Sequence, residues 1–187
     1  MRSMSEYNSI LINDVIRDFK QKCLLEPEPK TVLFDADNTL YRFSTYGMIA
    51  EAKRDMYTKG YFKNLHIFEE APAVIENLQK LGVRCGIISK AIDSPYCVFE
   101  KRQSFSYYFP MIEEKDIYII HEGEKKTDAI SDIPNTILVD DYYMNINEWY
   151  YHGGVAIKKS YTGKLRPVPV VTSLIDLFVV LHELNVY

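Results

Sequence analysis

Short continuous apolar runs recur along the chain, and they constrain its fold more than any other feature. They lie at residues 31–34, 83–88, 117–120, 136–139 and 154–157. Runs of this length without polar alternation are typical of strands that are covered on both faces, as in parallel sheets. The sequence therefore predicts a sheet whose strands are buried.

Helical patterns separate most of these runs. Apolar residues at spacings of three and four predict helices over residues 4–23, 71–81 and 94–109, and a last helix with Thr172 as its N-cap. Strands that alternate with helices favour an α/β fold with a doubly wound, Rossmann-like parallel sheet. A polar and aromatic stretch interrupts the alternation after the first strand.

We interpret this stretch, residues 41–65, as a small helical cap inserted after the first strand. Residues 1–40 and 66–187 then form the core domain. The length of 187 residues suits one compact domain with a small insertion.

Charge and composition exclude several classes of protein. The net charge of −4 and the hydrophobic content of 47% argue against a disordered chain and against binding to nucleic acid through phosphate charge. No stretch approaches the ~20 apolar residues of a membrane span, and the N-terminus does not resemble a signal peptide. The three cysteines have neither disulfide nor zinc spacing. We therefore expect a cytoplasmic protein that binds neither nucleic acid nor membrane, and its oligomeric state stays open.

Carboxylates follow two of the predicted strands. Asp35 and Asp37 come directly after the first, and Asp140 and Asp141 after the fourth. Because the carboxyl ends of parallel strands meet at one edge, these side chains should lie close together. Carboxylate and carbonyl oxygens without His or Cys suit a hard cation such as Mg²⁺. Such a set can bind a phosphate ester, provide an Asp nucleophile and provide a second carboxylate for proton transfer.

A hydroxyl and several ammonium groups should join this edge. Ser89 and Lys90 end the second strand, and a lysine pair precedes the fourth. A Ser hydroxyl and a Lys ammonium can bind the non-bridging oxygens of a phosphoryl group. Lys125 and Lys126 compete for this role.

The motifs at these strand ends resemble those of the haloacid dehalogenase (HAD) superfamily of phosphatases. FDADNTL at residues 34–40 resembles motif I, IIS at 87–89 motif II, Lys126 motif III, and ILVDD at 137–141 motif IV. The resemblance covers roughly residues 31–158 and implies the HAD fold.

A closer resemblance is to the type C 5′-nucleotidases, and PYCVFEKR at residues 95–102 is its most specific part. It implies that Asp35 is the nucleophile and Asp37 the acid and base. It further implies that Mg²⁺ is held by Asp35, the main-chain carbonyl of Asp37, and Asp140, with Asp141 orienting a water ligand or the motif III lysine. The following Thr127 favours Lys126 for motif III.

The expected substrate is a small phosphate ester, a (deoxy)nucleoside monophosphate by this resemblance. Phe43 and Tyr46 follow motif I most closely and are the candidates for contact with the base. The cap is shorter than in those nucleotidases, which predicts broad selectivity. The alternatives are a HAD phosphatase for another ester, such as a sugar phosphate, and a non-catalytic phospho-acceptor domain.

Overall fold

The computed structural model describes residues 31–43, 54–161 and 168–187. The helix predicted over residues 4–23, and Tyr46, lie outside the described residues. Within the described part, one parallel sheet has the strand order β3-β2-β1-β4-β5-β6. Its strands are β1 (Thr31–Phe34), β2 (Arg84–Ala91), β3 (Ile117–His121), β4 (Thr136–Asp140), β5 (Val155–Lys159) and β6 (Val170–Val171).

Helices flank this sheet and alternate with its strands, so the predicted α/β fold is confirmed. They are α1 (Ala71–Lys80), α2 (Cys97–Tyr108), α3 (Tyr143–Tyr151) and α4 (Leu177–Glu183). In the described part of the chain, no helix is both long enough and apolar enough to cross a membrane.

The strand order reverses beside β1, which lies between β2 and β4. Phe34 is in register with Ile87 on one side and with Val139 on the other. All three side chains are fully buried, as their continuous apolar runs predict. In open α/β sheets, ligands bind beyond the carboxyl ends of the strands at such a reversal. The fold thus directs attention to the residues that follow β1, β2 and β4.

Two local predictions need correction. The sequence pattern missed β6, a two-residue strand that pairs with the end of β5 and is too short to give a period. Thr172 is not the cap of the last helix. Ser173 caps the 3₁₀ turn Leu174–Asp176 that leads into α4, and Asp176 completes a capping box with it. Thr172 instead donates its hydroxyl to Asp176.

The two ends of the predicted cap insertion lie side by side. Tyr41 and Ile67 form an antiparallel bridge, and the N–H of Arg42 donates to the carbonyl of His66 at 2.7 Å. Tyr41 itself packs in the core and donates or accepts a 3.0 Å hydrogen bond with Ser104. An insertion that leaves and rejoins the sheet at one place would leave the core undisturbed.

Candidate active site

The loop after β1 keeps two carboxylates at the edge of the sheet. The N–H of Asp35 donates to the carbonyl of Val139 at 2.8 Å and so extends the pairing with β4 by one residue. The carbonyl of Ala36 then accepts hydrogen bonds from the N–H groups of residues 39–41, which closes a tight turn. Asn38 adopts a positive φ of 61°, a conformation that Asn tolerates better than most residues. Asp35 and Asp37 are therefore both placed at the edge where the strand order reverses.

A buried lysine joins the ends of β1 and β4. The Nζ of Lys126 donates to Oδ1 of Asp35 and, at 2.7 Å, to Oδ2 of Asp140. Asp140 is fully buried and also accepts hydrogen bonds from the N–H of Tyr142 at 2.7 Å and from Nδ2 of Asn145 at 2.9 Å. These three bonds fix the orientation of the Asp140 carboxylate.

The neighbouring lysine points elsewhere. Lys125 is exposed and forms an ion pair with Glu148 at 2.6 Å. Lys126 begins a 3₁₀ turn and is only 2% exposed. Of the two lysines that the sequence left in competition, Lys126 is the one that the fold brings to the carboxylates.

A second buried lysine, which sequence reasoning missed, lies on the other side of the site. The Nζ of Lys101, in α2, donates to Oδ2 of Asp37 at 2.7 Å, to Oγ of Ser89 at 2.8 Å and to the carbonyl of Lys90 at 2.8 Å. An ammonium has three N–H donors and no acceptor, so these bonds use its full capacity. The sequence carried a signal for it, because Lys101 shares the buried face of α2 with Cys97 and Phe105, four residues away on either side.

Lys101 leaves Ser89 with a proton to donate. Since the Ser89 oxygen accepts from Lys101, its own O–H can point to a further acceptor. The distance from this oxygen to the carbonyl of Lys90 is 3.5 Å, which is too long for a strong bond. Lys90 contributes its main-chain carbonyl to the cluster, while its side chain is half-buried.

Three carboxylates lie close enough to share one cation. Asp35, Asp140 and Asp141 each place an oxygen within 4.8 Å of the others. Burial raises the pKa of Asp35 well above its usual range, and Asp140 adds to this while Lys126 opposes it. Burial, and then the charge of Asp140, raise the pKa of Asp141 to about 6.

This donor set fits a hard divalent cation such as Mg²⁺, because all of its atoms are oxygens and their charges repel one another without it. The side chain of Asp37 is not among the three. For Asp37, the resemblance implies only the main-chain carbonyl as a ligand.

Aromatic rings flank the site on the cap side. Phe43 meets Tyr61 edge to face at 6.0 Å, and Tyr61 meets Phe62 in the same way at 5.0 Å. Burial raises the pKa of Tyr61, and the negative charge of Asp37 raises it further. The ring of Phe62 also lies over the Lys101 ammonium, 5.4 Å from centroid to Nζ. These rings are close to the groups that bind phosphate in our interpretation.

Solved structures with the same fold are HAD-superfamily hydrolases. An L-2-haloacid dehalogenase from Xanthobacter autotrophicus superimposes with a TM-score of 0.58 at 10% identity, over 83% of this chain and 99% of that one. A phosphoserine phosphohydrolase-like protein from Francisella tularensis has a TM-score of 0.57 at 16% identity, over 80% of this chain and 98% of that one. A HAD family hydrolase from Deinococcus radiodurans, solved with phosphate and sodium, has a TM-score of 0.57 at 14% identity, over 86% of this chain and 98% of that one.

At these identities the likeness concerns the fold, and it confirms the HAD-type fold that the motifs predict. A scan against protein-family models finds no match, and no curated protein sequence matches the chain.

Proposed function

We propose that the chain is a Mg²⁺-dependent phosphomonoester hydrolase that forms an aspartyl phosphate on Asp35. One observation carries the proposal. Two buried ammonium groups and a hydroxyl converge with neighbouring carboxylates at the strand-order reversal. This combination offers a nucleophile, an acid and donors for phosphoryl oxygens within one site.

Each residue has a distinct task in this mechanism. A carboxylate oxygen of Asp35 attacks phosphorus, and the bond from phosphorus to the ester oxygen breaks. Asp37 gives a proton to the departing alcohol and later takes one from the water that attacks the aspartyl phosphate. Lys126 and Ser89 donate to the non-bridging oxygens. When bound by Asp35, Asp140 and Asp141, Mg²⁺ would neutralise phosphate charge.

Asp37 favours a phosphatase over a dehalogenase. A departing halide needs no proton, whereas a departing alkoxide does. The Oδ2 of Asp37 is held by Lys101, and its Oδ1 is buried without a hydrogen-bond partner among the described residues. We propose that this oxygen is the one that exchanges the proton with the leaving group.

The substrate class that we propose is a nucleoside monophosphate. The rings of Phe43 and Tyr61 lie beside the site, nearly perpendicular to each other, and an aromatic face can stack on a base. We further propose that the protein works in the cytoplasm, where the buried, unpaired Cys85 and Cys97 would stay reduced.

A screen of phosphorylated metabolites, scored by released phosphate, tests the function. We expect turnover of nucleoside monophosphates with Mg²⁺, none after treatment with EDTA, and recovery when Mg²⁺ is restored. Full activity after rigorous chelation would contradict the metal dependence. Good turnover of a sugar phosphate with none of any nucleotide would leave only the phosphatase proposal standing.

A variant of Phe43 tests the base contact separately. Phe43→Ala should raise the KM for nucleotides and change little for p-nitrophenyl phosphate, because that ester has no base to lose. Equal KM values for nucleotides in variant and wild type would exclude Phe43 from the substrate site.

A further inference from the structure

A second charged residue of α2 is buried next to Lys101. Glu100 is only 4% exposed. Its Oε1 accepts a hydrogen bond from the N–H of Gly60 at 2.6 Å, and its Oε2 accepts one from the N–H of Phe62 at 3.1 Å. Both carboxylate oxygens are therefore used to hold main chain that belongs to the predicted cap insertion.

The two anchored N–H groups lie on either side of Tyr61. That residue is the one whose ring touches both Phe43 and Phe62. Gly60 has a φ of 93°, a conformation that other residues rarely adopt. The turn and the two bonds to Glu100 together fix the direction in which the Tyr61 and Phe62 rings leave the backbone.

α2 thus connects the aromatic rings to the proposed catalytic acid. Lys101 holds Asp37, and the preceding residue, Glu100, holds the segment that carries Tyr61 and Phe62. The Phe62 ring closes this arrangement, because it lies over the Lys101 ammonium. A hydrogen bond to a charged group is shorter and stronger than a neutral one, so this anchor is firm.

We propose that Glu100 is a positioning residue that holds Tyr61 as one wall of the substrate site, with the buried Phe62 ring packed behind it. The wall contacts the flat, apolar part of the substrate beyond its phosphate. This inference rests on the proposed phosphatase function and adds to it the group that sets substrate affinity. Glu100 acts through the main chain and does not contact the reacting atoms.

The isosteric variant Glu100→Gln tests this role. The side chain keeps its volume, but one oxygen becomes an NH₂ group that faces an N–H donor, so one of the two bonds is lost. We expect the KM for AMP to rise about tenfold with little change in kcat. The kcat/KM for acetyl phosphate, which has no ring, should stay within about twofold.

Glu114→Gln is the matched control. Glu114 lies in a short 3₁₀ turn before β3 and forms an ion pair with Arg102 of α2. Because Glu114 is exposed, its variant loses a charge next to α2 without loosening the wall. It should leave both substrates unaffected. An unchanged KM for AMP in Glu100→Gln, or an equal loss for AMP and acetyl phosphate, would overturn the proposal.

Hydrogen exchange provides a measurement that does not depend on turnover. The amides of Gly60 and Phe62 should exchange faster in Glu100→Gln than in wild type or Glu114→Gln, while β1 and β4 stay protected. Unchanged exchange at residues 60–62 would also overturn the proposal. Failure of the proposed function is distinguishable, since the wild type itself would then turn over neither AMP nor acetyl phosphate.

A second variant covers the case in which Glu100→Gln does not fold. Tyr61→Leu keeps the N–H groups of Gly60 and Phe62 that donate to Glu100, and removes the partly exposed ring of the wall. We expect the same rise in KM for AMP with acetyl phosphate unaffected. Wild-type kinetics for AMP in Tyr61→Leu would show that this wall does not contact the substrate.

Discussion

Both edges of the sheet contain buried carboxylates, but the positive charges that balance them are arranged differently. At the amino edge, where the strands begin, Nε of Arg84 donates to Oδ1 of Asp116 at 3.1 Å. This pair lies beside a groove of about 460 Å³. That hydrogen bond raises the pKa of Arg84, so one acid meets one base. At the carboxyl edge, Asp35, Asp140 and Asp141 lie close together, and the ammonium of Lys126 donates to the first two of them.

This difference is the one expected between a structural ion pair and the ligand site that we propose. A paired acid and base need no further partner, although removing one leaves the other unsatisfied. An excess of buried carboxylates is unfavourable in the folded chain unless a cation joins it. The proteins that retain such an excess use it for binding or catalysis. Variants at the two edges should therefore fail in different ways.

The largest effect is expected at the carboxyl edge. Asp35→Asn should lower turnover by roughly 10⁴-fold or more, because an amide cannot attack phosphorus and is a poorer metal ligand. Phosphate release from p-nitrophenyl phosphate with Mg²⁺ measures it. Near-normal turnover in the pure variant would end the aspartyl-phosphate hypothesis.

Lys125 and Lys126 allow a site residue and an exposed residue to be compared within one loop. Lys126→Met should reduce kcat/KM by ~10²–10³-fold, since the phosphoryl oxygens lose a buried charged donor. Lys125→Met should change it less than about twofold, because this side chain is exposed and pairs only with Glu148 among the described residues. Steady-state kinetics on both variants tests the assignment. A larger loss in Lys125→Met would reverse it.

The amino edge should fail in stability and not in activity. Asp116→Asn replaces a buried carboxylate by a weaker acceptor for Arg84, whose own side chain is more than half exposed. We expect a loss of about 1–3 kcal/mol in the free energy of unfolding, measured with denaturant. The kcat at saturating substrate should not change. A large loss of kcat in the folded variant would contradict the division between the two edges.

The smallest expected effect is the free-energy cost that the excess of carboxylates imposes on the folded protein when no metal is bound. The pKa of Asp141 is about 6 in the folded chain against 3.8 for the ordinary side chain, so its ionisation opposes folding above pH 6. Asp141→Asn should therefore stabilise the metal-free protein at pH 7.5 by about 1 kcal/mol.

This gain has a defined pH dependence. It should shrink as the pH falls from 6 towards 3.8, where wild-type Asp141 becomes protonated in the folded chain. Thermal unfolding in EDTA at several pH values measures it. A variant that is less stable at pH 7.5 would show that the carboxylates carry no such penalty.

Much of this site could be predicted from the sequence because its residues directly follow the continuous apolar runs. Asp35, Ser89 and Asp140 have that position, and parallel strands bring their ends to one edge. Lys101 could not be found in this way, because it lies in the middle of a helix. A lysine there is usually solvated, and only the packing of α2 against the carboxyl edge of the sheet buries Lys101.

The roles of Glu100 and of the short strand β6 were also beyond sequence reasoning. The contact between Glu100 and Gly60 joins residues 40 positions apart, and no periodicity reports such a pair. The strand β6 has two residues and forms only because β5 offers a free edge. In each case tertiary packing, and not local preference, decides the conformation.

Trapping the intermediate tests the central claim most directly. In Asp37→Asn, p-nitrophenyl phosphate can still phosphorylate the enzyme, because p-nitrophenolate leaves without a proton, but the attacking water has no base. With Mg²⁺, we predict a burst of one p-nitrophenolate per chain. Mass spectrometry after an acid quench should then find one phosphoryl group on the peptide that contains Asp35. Steady phosphate release without a burst, or a phosphoryl group on any other residue, would contradict the account.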